Sequence, residues 1–185
     1  MDPTSYNEAM KSASSELWLQ AISKELQNMC HLKVWEEVPI SENTKLIGTT
    51  CVFKTKRNEN NNIIEHKAHL FAQGFSQTPG VDFSKTFALT GRLNSLCTLI
   101  SFATSRGLCF EQLDIKSAFL NATLEEDFYL LIPQGLDRDK SKTCLKLNKA
   151  IYGLWQAPLA WYRRLSAWLI GFGFKICQDE TMTKM

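Results

Sequence analysis

The sequence predicts an α+β fold, and three features carry that expectation: an amphipathic helix near the N-terminus, a long β-hairpin in the first half, and short strands alternating with helices in the second. The helix is read over residues 14–30, where Leu17, Trp18, Ala21, Ile22, Leu26 and Met29 recur at three- and four-residue steps and Ser14 stands where a cap would. A helical turn over 6–10 precedes it, and residues 34–39 read as extended, stopped by Pro39. The hairpin pairs Thr49–Arg57 with residues 63–73 around an asparagine-rich turn, 58–62, whose residues tolerate left-handed backbone. In its second strand Ile64, His66, Ala68, Leu70 and Ala72 fall on one face and Glu65, Lys67, His69, Phe71 and Gln73 on the other. A helix over 94–106 turns Leu96, Leu99, Ile100 and Ala103 inward and ends at Gly107. Strands are then expected over 109–115, 128–132 and Thr143–Leu147, with a polar loop over 134–142. Pro158 suits the first turn of a last helix that Gly171 and Gly173 end.

The chain has 185 residues, 44% hydrophobic and 22% charged, with a net charge of +2, which excludes a disordered tail or a fibrous repeat. At this length about 70% of the surface of the unfolded chain can be buried. Apolar runs fall far short of the roughly 18 residues that a membrane span needs, and the N-terminus lacks a basic-then-apolar opening, so an intracellular protein without membrane contact is expected. The six cysteines show no Cys-x-x-Cys pair and are expected to be free, mostly buried thiols.

For chemistry, the residues offer Asp114 at the end of an expected strand, followed after a short turn by Phe119. One carboxylate also fits a turn or cap, and that alternative stays open. Glu125, Glu126 and Asp127 read as a solvated run, and His66 and His69, three apart on a strand, face opposite sides. A phosphate-cradling glycine loop, a nucleophile elbow and a His-Glu-x-x-His helix are all missing from the sequence. Trp155, Trp161, Tyr162 and Trp168, near Arg163 and Arg164, are expected mainly in the core.

Motif order is more specific. The stretches are Trp18-x-x-Ala21-x-x-x-Glu25-Leu26, Val52-Phe53-Lys54-x-Lys56, Lys67-Ala68-x-Leu70-x-Ala72-x-Gly74-Phe75-Ser76-Gln77, Gly80-Val81-Asp82-Phe83, Thr86-Phe87-Ala88, Gln112-Leu113-Asp114-Ile115-Lys116-x-Ala118-Phe119-Leu120 and Tyr152-Gly153-Leu154-x-Gln156-Ala157-Pro158-x-Ala160-Trp161-Tyr162. In this order they resemble the reverse transcriptase domain of copia-type long-terminal-repeat retrotransposon Pol polyproteins, over residues 6–179.

The resemblance implies a right-hand polymerase fold, with fingers over about 6–111, an incomplete palm over about 112–179, and a divergent tail over 180–185. It implies an RNA-directed DNA polymerase using Mg2+, an RNA template, a DNA primer and deoxynucleoside triphosphates, in a cytoplasmic virus-like particle. Asp114 would be catalytic and, with the Ile115 carbonyl, a metal ligand. Lys67, Ile115, Phe119, Tyr152 and Gln156 would bind the nucleotide, Phe119 gating the sugar, while Lys54, Lys56 and Arg57 would touch nucleic acid. Two departures stand out. The sequence has no Tyr-x-Asp-Asp motif, and His69, Gln73, Cys97, Trp155 and Leu159 stand where the family carries basic residues. The chain therefore reads as truncated before that motif and inactive by itself. A non-catalytic remnant with weak RNA or RNA–DNA hybrid binding, or a degenerate product without function, are the alternatives.

Overall fold

The computed structural model describes residues 1–42, 44–78, 80, 86 and 93–175. The expectations for the Gly80-to-Phe83 and Thr86-to-Ala88 stretches beyond Gly80 and Thr86, for Cys177 and for the tail lie outside the described residues.

Among the described residues four α-helices and six strands form, a mixed α+β architecture. Helix α1 (Tyr6–Lys11) starts where the Ser5 hydroxyl accepts from the Glu8 amide, while Glu8 reaches back to the Thr4 amide and hydroxyl at 2.8 and 2.7 Å. Helix α2 (Ser15–His31) buries Trp18, Ala21, Ile22, Leu26 and Met29, the stripe the spacing predicts. Leu17 falls outside that stripe and is exposed. Ser14 does occupy the cap position, but its side chain makes no capping bond, and Ser12 instead accepts from the Ser15 amide.

Strand β1 (Trp35–Pro39) pairs antiparallel with β6 (Thr143–Leu147). With the short strands β2 (Leu46–Ile47) and β5 (Tyr129–Leu130) they make a four-stranded sheet ordered β1-β6-β5-β2. The expected strand over 128–132 is thus only two residues long, and β2 was not expected at all. The second sheet is the hairpin of β3 (Thr49–Arg57) and β4 (Ile63–Ala72), with Asn61 at φ 63° in its turn. On β4 the alternation is as read: Ala68, Leu70 and Ala72 are buried. Beneath the hairpin Trp18 packs edge-on against Phe53 at 5.4 Å and His66 at 4.4 Å, fastening α2 to the sheet. Burying side chains such as Ile22 and Leu70 contributes about 1.5–3 kcal/mol apiece.

Four expectations are corrected. Helix α3 (Leu93–Ser105) forms and ends as predicted, with Gly107 at φ 63° and the Leu108 amide donating to Ala103, yet it buries no residue. Its stripe of Leu96, Leu99 and Ile100 is exposed because no described element packs on it. Residues 109–115 form no strand, since no described segment offers their backbone a ladder, and Phe110, Leu113 and Ile115 are exposed. Helix α4 (Ala157–Gly171) carries Pro158 in its first turn and ends at Gly173, φ 87°, but Trp155 and Trp168 are exposed, Tyr162 is half-buried, and only Trp161 packs against the core. Among the described cysteines Cys30, Cys97 and Cys109 are exposed, so thiols are not mostly buried; Cys51 and Cys144 are the enclosed ones, and burial pushes the Cys51 thiol up to about 11.

Candidate nucleotide and nucleic-acid site

The site is organised by a crossing of two glycine-containing segments. Tyr152 lies in a parallel bridge with Phe71, and its carbonyl accepts from the Ala72 amide at 2.8 Å. A methyl group on Gly74 would stand 2.0 Å from the Gly153 oxygen, and one on Gly153 would stand 2.1 Å from the Ala72 oxygen. Only glycine permits this approach. The crossing is locked by side chains: Gln77 accepts from the Trp155 amide at 3.1 Å and donates to Gln156 at 3.1 Å, while the Trp155 indole donates to the Gly74 carbonyl at 2.9 Å. Two motifs 75 or more residues apart in sequence are thereby one structural unit.

The crossing delivers Tyr152 to the polar face of β4. Its ring lies 5.5 Å from Phe71, 5.8 Å from His69 and 5.0 Å from Phe119, centre to centre. Phe119 sits in a 3-10 turn, Ala118–Asn121, entered through Ser117 at φ 53°. Burial, then the negative charges of Glu25 and Asp114, raises the Tyr152 phenol above its usual 10, so Asp114 lies within electrostatic reach of this ring. Asp114 and Ile115 themselves are exposed, on unpaired backbone rather than at a strand end. Gln156 stands apart from Tyr152 in role: it is 5% exposed and its oxygen is held by Gln77, which makes it part of the lock.

Lys67 shares a β4 face with His69 and Phe71, and Lys54 is its direct partner across the hairpin. Lys56 lies beside Glu65 at 3.3 Å and close enough to Lys67 that the contact between the two ammoniums, followed by partial burial, holds Lys67 below the usual lysine range. Lys67 is therefore not isolated, as the replacement of its same-strand neighbours suggested: the partner strand supplies the cations. Arg57 is spent on the turn, donating to the Asn61 carbonyl at 2.9 Å. Glu25, flagged only as a motif letter, anchors the face from α2: its carboxylate is 3.3 Å from His69 Nδ1 and accepts from the Leu70 amide at 3.4 Å. Its place on the buried stripe, three and four residues after Ile22 and Ala21, was the available signal.

A pair of Mg2+ ions does not fit these residues. Among the described residues there is no group of three or more His, Cys, Asp or Glu side chains that could hold a metal, and Asp114 is a single exposed carboxylate.

The electrostatics of Tyr152 give a measurable consequence. Its folded pKa is raised, so its contribution to stability is complete below pH 10 and is lost as pH rises beyond that value. The difference in tyrosinate absorbance between wild type and Tyr152→Phe isolates this phenol. Asp114→Asn is expected to shift that difference titration to lower pH, and an unchanged curve would separate the two residues.

The rings of Phe71, Tyr152 and Phe119 thus lie beside a lysine-bearing hairpin. The family follows from comparison with known proteins. The chain belongs to the family described as reverse transcriptase (RNA-dependent DNA polymerase), whose model matches residues 32–183. It is 34% identical over 175 residues to the retrovirus-related Pol polyprotein from transposon RE1 of Arabidopsis thaliana, covering 94% of this chain and 12% of that protein. To the corresponding polyproteins from RE2 of the same plant and from TNT 1-94 of Nicotiana tabacum it is 34% and 31% identical, over 90% and 91% of this chain and 12% and 13% of theirs. The copia-type resemblance is thus borne out, and the chain spans about an eighth of these relatives. No solved structure matches it. No described helix is long and apolar enough to cross a membrane.

Proposed function

We propose that this chain is the substrate-handling part of an RNA-directed DNA polymerase with a right-hand fold, residues of about 6–111 acting as fingers and about 112–179 as the first part of the palm. Its partners would be an RNA template, a DNA primer and deoxynucleoside triphosphates, within an intracellular particle of the kind the family implies. The observation that carries this reading is the continuity of one face: Lys54 and Lys67, then His69 and Phe71, then the tilted, adjoining rings of Tyr152 and Phe119, with Asp114 in electrostatic reach.

Each part has a role that its chemistry supports. Lys54 and Lys67 face one another across the hairpin, with Lys56 nearby and paired to Glu65, so this face offers cations to a polyanion. Tyr152 offers an aromatic surface for a base or sugar, and Phe119, its ring 5.0 Å away, would gate the sugar as the resemblance implies. Because the described residues lack a metal cluster, no chemical step is assigned to this chain alone, and primer extension by it is not expected. The uncovered apolar residues of α3 and 108–115 support a palm completed by further strands of a longer polyprotein.

Binding of an RNA–DNA hybrid tests the proposal. Affinity should fall with salt, and Lys54→Ala, Lys56→Ala and Lys67→Ala together should reduce the slope of log K against log salt by about 2, at roughly 0.7–0.9 per phosphate contact. Lys140→Ala with Lys142→Ala, in the loop before β6, serves as the control. Equal slopes for both variants would remove the hairpin from the nucleic-acid path. A flat binding curve at low salt would instead favour a degenerate product without function.

A further inference from the structure

The turn from Asp114 to Phe119 contains a conformation that its own residues do not favour. Ser117 has φ 53° and ψ 42°, the left-handed region, although it carries a Cβ. Such a residue is stable only where its surroundings hold it. Two asparagines do so. Asn121 donates its side-chain amide to the Ser117 carbonyl at 3.1 Å and to the Lys116 carbonyl at 3.5 Å, a local brace within the turn. Asn28, 89 residues away on α2, donates to the Ser117 hydroxyl at 3.1 Å in a half-buried contact. The stretch immediately before, 109–116, is exposed and belongs to no strand. The usual source of rigidity for this turn, a paired strand leading into it, is therefore absent among the described residues, and Asn28 supplies a fixed point in its place.

We propose that Asn28 is a positioning residue of the nucleotide site: by pinning Ser117 it sets the Phe119 ring against Tyr152 and so controls discrimination between deoxyribose and ribose. This rests on the nucleotide reading given above. The geometry is direct. Ser117 precedes the 3-10 turn, its carbonyl accepts from the Leu120 amide at 2.9 Å, and Phe119 lies between those two residues with its ring 5.0 Å from Tyr152. Rotation of Ser117 out of the left-handed region changes the direction in which the turn leaves it and carries the Phe119 ring with it. Helix α2 is fastened to the hairpin through Trp18 and Glu25, so the pin refers Phe119 to the same body that carries Lys67 and His69.

The test uses the 185-residue chain and two readouts. In the ligand-free protein, the nuclear Overhauser contact between the Phe119 and Tyr152 rings should weaken in Asn28→Ala, while the Phe71–Tyr152 contact, which Asn28 does not touch, persists and reports that the fold is intact. In equilibrium binding with Mg2+, the preference for dATP over ATP should fall about fivefold, the factor that one neutral hydrogen bond supports. Ser117→Ala should have the same effect, and the double variant no more than either single one, because both remove one bond. Unchanged ring contacts and unchanged preference in Asn28→Ala would overturn the proposal, as would additive effects in the double variant. If the wild-type chain binds neither nucleotide, the nucleotide reading fails. The ring contact then decides by itself whether Asn28 positions Phe119.

Discussion

Gly153→Ala is expected to destabilise the fold strongly, with a loss on the order of 4 kcal/mol, in the range reserved for backbone clashes and strained conformations. Two costs combine at this position. The new methyl group would stand 2.1 Å from the Ala72 oxygen and 3.1 Å from the Ala72 nitrogen, both backbone atoms that no side-chain rotation can move, and φ at 91° lies where residues with a Cβ are strained. A domain of this size has about 5–15 kcal/mol of stability in total, so the fraction lost is large. Gly74→Ala meets the Gly153 oxygen at 2.0 Å and should act alike. Gly171→Ala is the control: nothing lies within 4 Å of the added atom at the end of α4, and the substitution should be neutral or slightly stabilising. Chemical denaturation followed by circular dichroism measures all three. Were Gly153→Ala as stable as Gly171→Ala, the crossing could not be what holds Tyr152 beside Phe71.

The parts of the fold that were legible in the sequence are those held by local pattern. The stripe of α2 and the alternation of β4 are both set by period, and each buries the residues that its period selects. The hairpin ends were readable because the asparagine turn tolerates the left-handed Asn61. The failures occur where a pattern is necessary but not sufficient. Leu96, Leu99 and Ile100 have helical spacing, yet burial requires a partner surface, which α3 lacks among the described elements. Residues 109–115 have strand composition, but a strand requires a neighbour to share its hydrogen bonds. Strand β2 escaped notice because two residues carry no period.

At the site the same distinction holds. Lys67, Lys54, Phe119 and Tyr152 were identified by motif and do share one region. What the motifs could not convey is the long-range pairing: Gln77 with Gln156, Gly74 with Gly153, Glu25 with His69 and Asn28 with Ser117 each join segments between 44 and 89 residues apart. Gln156, expected to touch nucleotide, is buried with its oxygen accepting from Gln77.

The second large effect is on catalysis, and it falls on Asp114. Among the described residues no group of three or more possible metal ligands includes Asp114, where two-metal chemistry needs several carboxylates, and we propose that this chain by itself does not extend a primer. Joined in one polypeptide to the Tyr-x-Asp-Asp hairpin and remaining palm and thumb of a relative such as the RE1 polyprotein, it should extend a DNA primer on an RNA template in Mg2+. Asp114→Asn in that chimera keeps the size of the side chain and removes its charge. Primer extension by the chimera, with and without this one substitution, is the most direct measurement of the account. Incorporation should fall by at least about a thousandfold, to the level of the 185-residue chain, given that losing one ligand from a metal cluster removes several kcal/mol of transition-state stabilisation. Extension that survives Asp114→Asn undiminished would show that this carboxylate is not part of the catalytic centre and would contradict the assignment of this chain as the substrate-handling part of a polymerase.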